Sequence, residues 1–91
     1  LSSPPVATSK LKAALDHFPD DRPFLLRLAM ADEAFRSVCE DYKLACRRLA
    51  ALRSAEMHAD PAELSDYVTL VAELEAEMTG LLETARRVGV P

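Results

Sequence analysis

Glycine is nearly missing from this 91-residue chain, which holds two, and tryptophan is absent altogether. Gly80 and Gly89 stand alone, so no glycine-rich loop is available to cradle a phosphate. Aromatic residues are also scarce, at 5% of the chain. What remains is rich in Ala, Leu, Glu and Arg, whose unbranched side chains lose little rotamer freedom on a helix. Composition therefore favours helix throughout, and no strands are expected.

An excess of positive charge is missing too. Eleven Lys and Arg stand against fifteen Asp and Glu, for a net charge of -4 and a pI near 5.1. A duplex nucleic-acid binder needs clustered cations to displace counterions, so this balance argues against one. No apolar run approaches the roughly 20 residues needed to cross a bilayer, and the first residues lack the pattern of a secretory signal. The expectation is a soluble cytoplasmic protein.

Cysteine is sparse and wrongly spaced for chemistry. Cys39 and Cys46 sit seven residues apart on one expected helix, about 10 Å between alpha carbons, which is beyond disulfide reach. They are read as partly buried thiols flanking the helical seam. There is no C-x-x-C and no paired histidine, so a zinc site would have to gather His17, Cys39, Cys46 and His58 from distant positions. No nucleophile stands next to a base. No catalytic residue, cofactor site or metal site is assigned, and both histidines are read as exposed residues near helix ends.

What is present is periodicity. Residues 1–9, with Ser2, Ser3, Pro4 and Pro5, read as a disordered arm. One helical domain follows over 10–91. Leu11, Leu15 and Phe18 mark a short helix over 10–18 that stops before Pro19. A second short helix over 21–30 has Asp20 or Asp21 as its cap, Pro23 in its first turn, and Phe24, Leu25 and Leu28 on its apolar side. Asp32 is the next cap, and the sequence leaves open whether the helix breaks there.

From Phe35 the pattern strengthens. Phe35, Val38, Tyr42, Ala45, Leu49 and Leu52 alternate spacings of three and four, along a long helix expected over 32–57. After Asp60-Pro61, a capping residue and a first-turn proline, Leu64, Tyr67, Val71, Leu74, Met78, Leu81, Ala85 and Val88 repeat the alternation over 61–88. Only a few residues around His58 connect the two, and short connections join antiparallel neighbours. The fold class is all-α: a long antiparallel helical hairpin, coiled-coil-like and rod-shaped, preceded by one or two short helices.

Phe18-Pro19, then Leu25 and Leu28, then Phe35, then Tyr42, with polar residues between, resembles the opening of the small bacterial YdcH-like proteins, a family of unknown function. The resemblance spans Phe18 to Leu49 and implies a helical hairpin, bacterial and cytosolic, with no known reaction. In the region Pro61 to Leu82 the family usually carries several Lys and Arg, whereas this chain has no basic residue there and has Glu73, Glu75 and Glu77 instead. Those three glutamates alternate around the helix and read as solvated surface.

Two facing seams leave apolar residues over. Leu44, Val68, Leu70 and Leu82 lie off the seam of the long helices, with Phe18, Phe24, Leu25 and Leu28 ahead of them, to cover the hairpin or to meet a second chain. The functional expectation is a non-catalytic helical interaction module that forms a homo-oligomer or docks on a partner protein. Its association surface is placed at Leu44, Leu70 and Leu82, with Cys39 and Cys46 beside it. The alternative is binding to nucleic acid or an anionic surface through Arg47, Arg48 and Arg53 with Arg86 and Arg87.

Overall fold

The structure, a computed structural model, describes residues 6–54 and 60–89, with side chains from Lys10 onward. The described residues are all-helical and contain no strand. The elements in chain order are α1 (Val6–His17), a 3-10 turn (Pro19–Asp21), α2 (Arg22–Ala31), α3 (Glu33–Ser54) and α4 (Pro61–Val88). No helix among them is long and apolar enough to cross a membrane.

Each boundary has a local cause. Helix α1 begins at Val6, inside the segment expected to be a disordered arm. No proline or glycine falls between Val6 and Phe18 to oppose helix, so the turn-breaking character of the arm ends with Pro5. At Phe18 the backbone leaves the helical region (φ -121°, ψ 65°), the conformation a following proline favours. Pro23 occupies the first turn of α2, where its missing N–H costs nothing.

Helices α2 and α3 are separate because Asp32 is extended (φ -128°, ψ 108°). Its Oδ1 accepts from the backbone N–H of Ala34 (2.9 Å) and of Phe35 (3.3 Å), which caps α3. The guanidinium of Arg36 donates to the carbonyl of Ala29 at 2.7 Å, occupying an acceptor that the end of α2 leaves open. Helix α4 opens with the Asp60 carboxylate accepting from Ala62 N–H at 2.9 Å and closes at Gly89, whose positive φ of 85° suits glycine. The expected 61–88 span is the one observed. Residues 55–57 of the expected 32–57 helix lie outside the described residues, as does His58.

Helices α3 and α4 make the most extensive contact, and α1 and α2 both pack on α3. The partners across α3 and α4 run in opposite order: Cys39 meets Met78, Tyr42 meets Glu75, and Arg48 meets Glu63. The molecule measures 48 × 37 × 21 Å, a slab and not the expected rod, because the short helices lie against the long ones instead of extending them.

The core contains Leu11, Ala14, Leu15, Leu25, Leu28, Phe35, Tyr42, Leu74, Met78 and Ala85 among its buried members. Expected seam position Val88 is 78% exposed, at the last turn of α4, and two others shift by one residue. Cys39, not Val38, is fully buried on α3, and Leu82, not Leu81, is buried on α4. The expected seams assumed one neighbour per helix. Here α1 and α2 add a second packing direction and rotate the buried stripe toward it, a rotation that a straight helix with 3.6 residues per turn also favours. Leu82→Ala should therefore cost ~2–5 kcal/mol, and Leu81→Ala distinctly less, in urea denaturation monitored by far-UV circular dichroism.

Candidate functional site

Of the five residues expected on an association surface, two are exposed together in one groove. Leu44 is 55% exposed and Leu70 is 39% exposed. They line one groove of about 280 Å³ with Asp41 and Ala45 from α3 and Tyr67 and Leu74 from α4. Leu82 (2% exposed) and Cys39 (0%) are removed from that surface, because both belong to the core. Cys46 is half-buried and lines a different cleft, between α1 and α3, with Ala13 and Ala50.

The groove is open for a helical reason. On α3, residues 41, 44 and 45 lie on the side away from residues 43, 46, 47 and 50, which line the cleft with α1. Helix α1 covers one flank of α3 and leaves the other bare. At one end the groove is flanked by the Arg48–Glu63 pair (2.7 Å), which holds the Arg48 guanidinium above its ordinary range.

On the covered side a polar cluster joins three helices. The Tyr42 hydroxyl donates to Glu75 Oε2 at 2.7 Å, and His17 Nδ1 lies 3.6 Å from the same oxygen. The His17 ring meets Phe18 edge-on at 4.7 Å between centroids and Tyr42 at 5.8 Å. Burial, with the hydrogen bond to Glu75 adding to it, pushes the Tyr42 phenol well above its ordinary value. Burial also raises the Cys46 thiol; the Tyr42 hydroxyl opposes that rise and the Glu75 charge reinforces it. In the core, Cys39 packs its sulfur 4.0 Å from that of Met78, and burial pushes its thiol up to about 12.

Thiols and phenol alike are thus held protonated, the opposite of what a nucleophile or general base requires. Among the described residues no three His, Cys, Asp or Glu side chains converge to hold a metal. The cluster can bind three helices together through one shared carboxylate. Spacing along α4 did not reveal it, since Glu73, Glu75 and Glu77 look alike in sequence and only Glu75 points at Tyr42. His17 is exposed at the end of α1, as expected, and its ring also borders this junction.

The arginines are spent unevenly. Arg48 pairs with Glu63, and Arg86 pairs with Asp21 while lying 5.4 Å from the Phe24 ring centroid. Asp21, expected as a cap of α2, occupies the cap position but makes no capping hydrogen bond, and its carboxylate meets Arg86. No continuous anion-binding stripe of five arginines results.

No family model matches the chain, and no curated protein or solved structure matches it.

Two outcomes follow from this geometry. Tyr42→Phe should lose ~1.5–3 kcal/mol in chemical denaturation, the net worth of one hydrogen bond to a charged group. Alkaline pH should destabilise the fold. The folded chain keeps the Cys39 proton to about 12, whereas an unfolded thiol releases it near 9. Between those values the folded state binds more protons, so stability falls as pH rises through that window. Tyr42 acts in the same direction. Cys39→Ala should flatten part of the fall between about pH 8 and about pH 11, read from urea midpoints.

Proposed function

We propose that the chain is a non-catalytic helical interaction module that self-associates or docks on a partner protein. Its frame is an antiparallel, coiled-coil-like hairpin of α3 and α4, braced by α1 and α2. The docking surface is the groove on the bare flank of α3. The observation that carries this reading is the exposure of Leu44 and Leu70 together in that groove, beside Tyr67 and Leu74. Isolated exposed leucines are ordinary; several apolar side chains sharing a concave surface mark a place for a partner.

Other features support the same reading. The paired contacts descending along α4 as they ascend along α3 fit an antiparallel hairpin. Protonated thiols and phenol fit a protein without chemistry of its own, and free Cys39 and Cys46 suit a reducing, cytoplasmic compartment. A bacterial protein of the YdcH-like type belongs to this proposal as well. Of the residues that carry the resemblance, Leu25, Leu28, Phe35 and Tyr42 share one core, Phe18 packs against it, and Pro19 is exposed.

The test is Leu70→Asp. Sedimentation equilibrium of the reduced chain, wild type against variant, should show association lost while circular dichroism retains the helical signal. If the wild type is monomeric, the same variant should fail to retain a partner captured by the wild type from an extract. Association that is indifferent to Leu70→Asp and to Leu44→Asp would overturn the proposal.

A further inference from the structure

The chain is divided electrically along its length. Between Pro61 and Ala85 there is no Lys or Arg, and Asp66, Glu73 and Glu77 are all exposed. By helical spacing these three lie beside Leu70 on its outer side, away from the groove residues Tyr67 and Leu74. None of the three is in an ion pair among the described residues.

The opposite charge lies on the other flank of α3. There α1 and α3 enclose a cleft of about 350 Å³. Its small members are Ala13, Cys46 and Ala50, and its rim carries Lys12, Lys43 and Arg47. The one acid on the rim, Asp16, is already neutralised: its carboxylate accepts from Lys12 at 2.9 Å and lies 3.5 Å from Arg22. The Lys12 ammonium beside it holds its carboxyl below the usual range. Lys43 and Arg47 are left outside every ion pair among the described residues.

The two surfaces match in register. Reading α3 backwards from Ala50, steps of three and then four residues reach Arg47 and Lys43. Reading α4 forwards from Leu70, the same steps reach Glu73 and Glu77. An antiparallel approach of the two helices therefore sets Leu70 over small Ala50, Glu73 over Arg47, and Glu77 over Lys43. Within one molecule these groups cannot meet, because Lys43 and Arg47 face away from the α4 side of α3.

We infer that a second copy of this chain docks its α4 ridge, Leu70 with Glu73 and Glu77, into the α1–α3 cleft lined by Ala50, Arg47 and Lys43. The inference rests on the reading of the groove face as a docking surface and names its partner. The contact is heterologous, since each copy offers a ridge to one neighbour and a cleft to another, so it propagates into a ring or a filament.

Sedimentation velocity of the reduced full chain decides it, with two charge-reversed variants, Lys43→Glu with Arg47→Glu and Glu73→Lys with Glu77→Lys. The wild type should assemble at ~0.05 M salt and fall apart at ~0.5 M, where screening shortens to a few ångströms. Each reversed variant alone should be monomeric, with its helical circular dichroism retained. Their equimolar mixture should assemble again, because each variant then offers a ridge and a cleft complementary to the other's. Should a reversal unfold the chain, Lys43→Gln with Arg47→Gln and Glu73→Gln with Glu77→Gln replace it, each weakening assembly. A wild type that is monomeric at every concentration overturns the inference, as does a mixture that stays monomeric. Assembly unmoved by either reversal but abolished by Leu44→Asp overturns this pairing alone and leaves docking through the groove standing.

Discussion

A pair of helices can shield only the stripes that face each other, and the rest of this molecule answers to that limit. Helices α3 and α4 offer Phe35, Tyr42, Ala45, Leu74, Met78 and Ala85 to their common core, yet both carry apolar residues beyond those stripes. Helices α1 and α2 cover part of the remainder with Leu11, Leu15, Leu25 and Leu28. Burial of such side chains contributes about 1.5–3 kcal/mol each, well above the ~0.2–1 kcal/mol of an exposed ion pair. The bracing helices therefore follow apolar surface, and charge adjusts their register.

Where three helices converge, a polar group becomes unavoidable. Tyr42 is buried deeply enough that its hydroxyl needs a partner, and Glu75 supplies one at 2.7 Å. The carboxylate keeps one edge toward solvent and toward His17, so its charge is not stranded in the core. Cys39 meets a weaker demand, its thiol donating to the Met78 sulfur at 4.0 Å and otherwise packing as a small apolar group. The burial that packs these side chains also favours their neutral forms.

The covering is one-sided, and that asymmetry organises the exterior. Helix α1 lies on the flank of α3 that carries Lys43 and Arg47, and leaves bare the flank that carries Asp41 and Leu44. The exposed acids Asp66, Glu73 and Glu77 of α4 are therefore separated from Lys43 and Arg47 of α3. A net charge of -4 conceals this separation, since it sums the two sides.

By itself the sequence determined the helical class, the break before Pro19, the cap at Asp60, the stop at Gly89, and most of the two long stripes. Each of these depends on residues within a turn or two of one another, and local sterics and hydrogen bonding decide them. Tertiary structure alone decided that Cys39 and Leu82 are buried where Val38 and Leu81 were expected, that Asp21 pairs with Arg86 instead of capping α2, and that Glu75 differs from Glu73 and Glu77. It also decided that Leu44 and Leu70 share a groove while Leu82 does not. All of these turn on the direction from which a second neighbour approaches a helix. Heptad spacing describes a stripe relative to its own axis, and it carries no record of where α1 and α2 will lie.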